Sequence, residues 1–365
     1  MRQHARTNFR SISSATAILG AEPALAVRDA PETAASPIRI VGRMTGMVRD
    51  VASILEPYRD RSSNYGKPEV PLSDHLPMAV TALAGMGAND ERLAAWAAAY
   101  VARQALPLAG VAETAGREKW RARIERDGSR KALADALRTL ADGIGAAAFH
   151  AAIRAAYAIE RNDNVDLACA LESWEREFVA LPVARTQQRV PVMEALHALA
   201  HAPLDRSDPD AWLIADGMRI VGTRDGFASL VATVPSSEAI DDLALAAAGA
   251  FAATGNFTAL HLMTGTHAFR VLRRALGGAD DLMPAFWSAY VAATIVAGVT
   301  PSLDAGTLDP LRDERISWDA LMERAVAQDD DHVIKATYTA WRLDSEIGHP
   351  VFATAAARYL AKRAG

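Results

Sequence analysis

Apolar residues recur at i, i+3, i+4 and i+7 along most of the chain. Leu93, Trp96, Ala97 and Tyr100 form one such stripe, Leu133, Ala136, Leu137 and Leu140 a second, and Phe149, Ala152, Ile153 and Ala156 a third. A period of about 3.6 residues is that of a helix with one buried face. Alanine and leucine, both strong helix formers, dominate these stretches. Gly85 and Gly87 with Asn89-Asp90 close one helix, and Asp90 is a plausible N-cap for the next. Asp163 or Asn164 is placed to cap a helix running to about Phe178. Pro235 to Asp242, Gly255-Asn256 and Gly277-Gly278 separate three more. Only the region from Arg219 to Val234 invites a strand reading, in two short runs where helix competes well. No repeat of about 30 to 45 residues marks a solenoid. The pattern predicts an all-α fold, a single multi-helix bundle of roughly a dozen helices.

Residues 1–38 are Ser/Ala/Pro-rich and aperiodic and read as a disordered N-terminal tail, so the helical domain is expected over 39–365. The tail carries Arg2, Arg6 and Arg10 and then a mildly apolar stretch from Ala15 to Val27. Glu22 and Pro23 interrupt that stretch and make it a poor secretory signal. The longest apolar run, Leu243 to Thr254, is Ala-rich and falls short of the roughly 18 residues of a spanning helix, so no membrane partner is expected.

Composition narrows the class of function. The chain has 365 residues, half of them apolar, and a formal net charge of -5. That balance belongs to a globular protein without the basic face of a nucleic-acid binder. Cys169 is the single cysteine, which excludes an internal disulfide and suits a reducing, cytoplasmic setting.

The chemistry is concentrated in histidines. His75, in Ser-Asp-His-Leu-Pro-Met, stands beside a helix start marked by Pro77. A helix N-terminus disfavours protonated imidazole, and a metal ligand must be neutral. His150 leads a strip with Arg154 and Tyr157 on an otherwise Ala/Ile helix, either the lining of a site or a satisfied core network. His261 and His267 flank Thr264-Gly265-Thr266. On a regular helix they stand ~120° apart, and the Thr-Gly-Thr segment is a candidate for a kink. His332 and Lys335 follow three aspartates, share one helix face about 60° apart, and have a helix-capping acidic start before them. His197 and His201 have the i,i+4 spacing that suits one metal, but no Glu follows the first of them, so the metalloprotease motif is missing. Gly143-Ile-Gly-Ala-Ala-Ala148 fits a dinucleotide fingerprint in letters only, since a helical run precedes it rather than a strand.

Taken in order, His-Leu-Pro-Met at 75–78, Phe-His-Ala-Ala-Ile-Arg at 149–154, Leu-His-Leu-Met-Thr-Gly-Thr-His-Ala at 260–268 and Asp-His-Val-Ile-Lys at 331–335 resemble the questin oxidase-like family. The resemblance implies an all-helical oxidoreductase, a non-haem metal oxygenase with iron (Fe2+). Its substrate would be a small polycyclic aromatic polyketide of the anthraquinone type, taken with O2; fungal relatives are associated with oxidative ring opening. It implies His75, His150, His261, His267 and His332 as metal ligands, with Lys335 carboxylated so that it binds through oxygen. Arg154 stands where fungal members often carry a second His, and Asp74 where Asn often precedes the His-Leu-Pro. Asp74 would orient His75, and Arg154, Tyr157 and Asp74 are the candidate catalytic residues. Two other readings remain: a Baeyer–Villiger-type oxidoreductase drawing on external NADPH, and a non-catalytic helical ligand-binding protein. The oligomeric state is not legible.

Overall fold

A computed structural model describes residues 51–67, 69–184, 187–202, 211, 213–312 and 316–364. The expected N-terminal tail, and the start of the domain at 39, lie outside the described residues. Among these residues there are seventeen α-helices and two small two-stranded sheets. One sheet pairs Asn64–Lys67 antiparallel with Val70–Ser73; the other pairs Gln188–Val190 in parallel with Thr233–Pro235. The chain is therefore all-α in class, with more and shorter helices than the periodicity suggested. The region from Arg219 to Val234 is mostly helix, Ile214–Gly222 and Phe227–Val231, and only its end contributes a strand. Among the described residues no helix is long and apolar enough to cross a membrane.

Local capping explains several boundaries. Asn89, rather than Asp90, caps the helix Asp90–Gln104, its side chain accepting from Arg92 N. The carboxylate of Asp90 instead lies in the first turn, where the helix dipole favours it. Asp163 caps Asn164–Arg176 through Asp166 N. The Thr264-Gly265-Thr266 segment does not break its helix, which runs from Phe257 to Ala275. Both threonines satisfy their hydroxyls within the helix, Thr264 on Leu260 O and Thr266 on Leu262 O. Gly265 is required for a different reason. A Cβ there would lie 2.6 Å from Cγ of Phe149, so the missing side chain lets Phe149 seat against the helix.

Four helices position the histidines: Leu76–Gly85, His150–Glu160, Phe257–Ala275 and Asp331–Ile347. Their starts meet through histidine rings. Further along, Gly85 packs on the Tyr338 ring, Glu160 faces His267 at 3.8 Å, and Arg342 reaches Glu160 at 3.2 Å. Contacts at both ends mean that the four helices run side by side in the same sense. The positive ends of four helix dipoles thus converge on one point. The buried apolar side chains around them form one continuous cluster.

Candidate metal centre

His75 immediately precedes its helix, His150 is the first residue of its own, His332 is the second, and His261 lies one turn in. The rings of His75 and His150 stack with centroids 4.6 Å apart. His332 meets His75 edge-on at 4.7 Å, and His261 meets His150 at 5.0 Å. His75, His261 and Lys335 are buried, while His150 and His332 keep partial exposure.

The hydrogen bonds fix the tautomers. His75 Nδ1 donates to Asp331 Oδ2 and His150 Nδ1 donates to the Ala147 carbonyl. His261 Nδ1 donates to the Phe257 carbonyl at 2.9 Å. A carbonyl or carboxylate oxygen only accepts, so in each neutral ring the proton sits on Nδ1 and Nε2 carries a lone pair. The two Nε2 atoms of His75 and His150 face each other at 2.6 Å. Two lone pairs at that distance repel unless a cation lies between or beside them. His332 Nδ1 lies 3.3 Å from Asp331 Oδ2, and His75, Asp331 and His332 offer three ligand atoms within 4.8 Å of one another. The donor set therefore fits a transition-metal ion, imidazole being suited to iron, and Asp331 supplies the carboxylate partner that commonly orients a metal-bound His.

Electrostatics keep the set ready to bind. Burial, then Lys335, pushes His75 down to about 3, and burial with the neighbouring imidazoles pushes His150 and His261 well below their ordinary range. Burial would raise the Asp331 carboxyl, but His75, His332 and Lys335 outweigh it and hold the group far below the usual carboxylate range. Lys335, three residues after His332, has no hydrogen bond or ion pair among the described residues, and burial lowers its ammonium to about 8. A lysine so placed is partly neutral at ordinary pH.

The turn that aims His150 is strained. Ala147, Ala148 and Phe149 have φ of 48°, 56° and 67°, three successive non-glycine residues in the left-handed region. That conformation costs of order 1 kcal/mol or more per residue and tends to persist where a site demands it. It turns the Ala147 carbonyl onto His150 Nδ1 and lays the Phe149 ring on Gly265.

The other sequence candidates fall elsewhere. His267 does not join the four histidines; it faces Glu160, with burial, Arg342 and Arg270 driving its imidazole down to about 3. The reason is the unbroken helix, on which six residues carry it roughly 9 Å along and ~120° around from His261. Arg154 is spent on framework contacts, with its NH2 group 2.7 Å from Asp166 and its NH1 group donating to Ser63 Oγ. Tyr157 is buried with its hydroxyl 3.4 Å from Thr339 Oγ1. Asp74 accepts from Leu76 N instead of orienting His75, and burial, opposed by Arg154, raises its carboxyl to about 6. The orienting role expected of Asp74 is taken by Asp331, which the sequence shows only as one of three aspartates opening a helix. Its neighbour Asp330 does the capping, accepting from His332 N. His197 and His201 are exposed on Val192–His201, their rings 4.1 Å apart, outside the clustered ligand atoms. Gly143 and Ala146–Phe149 lie in short 3-10 turns, a setting without the strand that a dinucleotide site needs.

Residues 225–340 match the model of the questin oxidase-like family. The match supports the resemblance drawn from the histidine segments and, through it, an oxidoreductase. His261, His332 and Lys335 lie inside the matched stretch, and His75 and His150 lie outside it. No curated protein matches the chain.

Proposed function

We propose that this questin oxidase-like chain is a non-haem, iron-dependent oxygenase acting with O2 on a planar, hydroxylated polycyclic aromatic of the anthraquinone type. The carrying observation is the pair of Nε2 lone pairs on His75 and His150, aimed at each other at 2.6 Å with both Nδ1 protons committed elsewhere. His75, His150, His261 and His332 would hold the metal, which would supply electron transfer with O2.

Lys335 completes the donor set as a carbamate. Its neutral Nζ adds to the carbon of CO2, a C=O pair becomes the anionic oxygen, and one proton passes to water. The product places a negative oxygen donor among neutral imidazoles, which offsets metal charge as a carboxylate ligand would. Burial of Lys335, which has no hydrogen bond or ion pair among the described residues, favours that reaction, because it keeps the amine partly neutral. Asp331 fixes the His75 ring, the Ala147 and Phe257 carbonyls fix His150 and His261, and the converging helix starts favour an anionic oxygen on the substrate.

The test is elemental analysis of protein loaded anaerobically with ferrous iron and bicarbonate, then freed of excess metal. Near-stoichiometric iron in the wild type and in His267→Ala, with loss in His75→Ala and His150→Ala, is the expected result. A wild type that retains no metal would overturn the reading, and equal loss in all three variants would overturn the assignment of ligands.

A further inference from the structure

Phe257 combines two properties that rarely go together. It is 42 % exposed, yet its ring packs against two imidazoles of the centre, at 4.7 Å from His261 and 4.7 Å from His332. Both contacts are edge-on, with interplanar angles of 70° and 62°. An exposed phenylalanine alone calls for no explanation. One that bridges two partners of a histidine cluster at its solvent edge marks the side from which the cluster can be reached. His75, His261 and Lys335 are each at most 5 % exposed, whereas the His332 side chain beside Phe257 retains 21 %.

The backbone fixes this ring firmly. Phe257 is the first residue of its helix, directly after Asn256, whose side chain accepts from Thr258 N and Ala259 N. Its carbonyl takes the His261 Nδ1 proton. One residue thus sets the tautomer of a ligand with its main chain and presents an apolar face to solvent with its side chain.

From this placement we infer that Phe257 is the platform on which the aromatic substrate stacks, orienting the ring system so that an ionised hydroxyl points at the histidine cluster. The inference rests on the oxygenase reading for the identity of the centre, but the role of Phe257 is read separately. A flat aromatic gains offset or edge-to-face contact with the exposed ring, and its oxygen anion gains the positive field of the four helix starts. Phe257 is therefore a positioning residue that sets affinity and regiochemistry.

The experiment is an anaerobic fluorescence titration of the iron-loaded protein with 1,8-dihydroxyanthraquinone, comparing wild type, Phe257→Ala and Phe257→Trp, with bound iron measured on the same samples. The inference expects binding weakened about three- to ten-fold in Phe257→Ala, affinity retained in Phe257→Trp, and the same iron content in all three. Three results would overturn it: no binding by the wild type, unchanged binding by Phe257→Ala, or weakened binding accompanied by iron loss, which would make the ring a cover for the ligands. A wild type that binds the quinone but holds no iron would instead sink the oxygenase reading, with the titration still deciding the role of Phe257.

Discussion

Asp331 accepts the Nδ1 proton of His75 across 256 residues of sequence. This one bond joins the start of an early helix to the start of a late one and settles which nitrogen of His75 faces the centre. Replacing Asp331 with Asn removes the charge that polarises the ring and keeps the shape. Metal affinity is expected to fall about 10- to 100-fold, read by competition with a chelator of known strength. Unchanged affinity would show that Asp331 is only a helix-start residue.

Gly265→Ala offers a test in which helix propensity and packing disagree. Alanine is better than glycine in a helix interior by about 1 kcal/mol. Its Cβ would nevertheless meet Phe149 at 2.6 Å, and Phe149 carries the strained turn that aims His150. Overpacking of this kind costs about 1–3 kcal/mol, so a net loss of stability and a lower iron content are expected. A rise in the urea midpoint would show that the turn yields easily.

Arg342 stands 3.2 Å from the buried Glu160, and among the described residues no hydrogen bond satisfies either carboxylate oxygen of Glu160 or either ring nitrogen of His267. Arg342→Met leaves Glu160 without its cation, and breaking a buried pair in this way costs roughly 3–5 kcal/mol. Adding Glu160→Gln should recover a large part of that loss. Chemical denaturation of the two single variants and the double variant measures the coupling, and simple additivity would refute it.

Two carboxylates held by arginine pairs, the buried Asp166 and the more exposed Glu346, make the fold acid-sensitive. Burial would raise Asp166, but Arg154 and Arg161 hold it down to about 2; Arg274 and Arg270 likewise hold Glu346 at about 2 against desolvation. Both folded values lie below the unfolded ones, so the stabilisation is complete above about pH 4.5 and is lost as pH falls toward 2. The urea midpoint is expected to drop over that interval, and to drop less steeply in Glu346→Gln. An equally steep fall in that variant would assign the acid sensitivity to other groups.

Relieving the turn before His150 should stabilise the protein. At φ 56°, Ala148 pays a steric cost that glycine does not, so Ala148→Gly is expected to gain up to about 1 kcal/mol with iron retained. Loss of iron without loss of folding would mean that the stiffness of the turn, and not only its shape, holds His150 in place.

The sequence by itself determined the helical class and a few of the helix boundaries, because periodicity, capping and breaking are local matters of a few residues. Phe149-His150, Leu260-His261 and Asp331-His332 with Lys335 stood out through the family resemblance of their short segments, not through periodicity. Tertiary structure decided which histidines share a centre. His261 and His267 are equals in sequence, but an unkinked helix points them to different neighbours, and only the packing of three parallel helices gives His267 to Glu160. Tertiary structure likewise chose Asp331 over Asp74 as the partner of His75, since a capping aspartate and an orienting one look identical until the opposite helix arrives. It also decided why Gly265 is glycine, a reason that lies in the ring of Phe149 and not in the conformation of Gly265 itself.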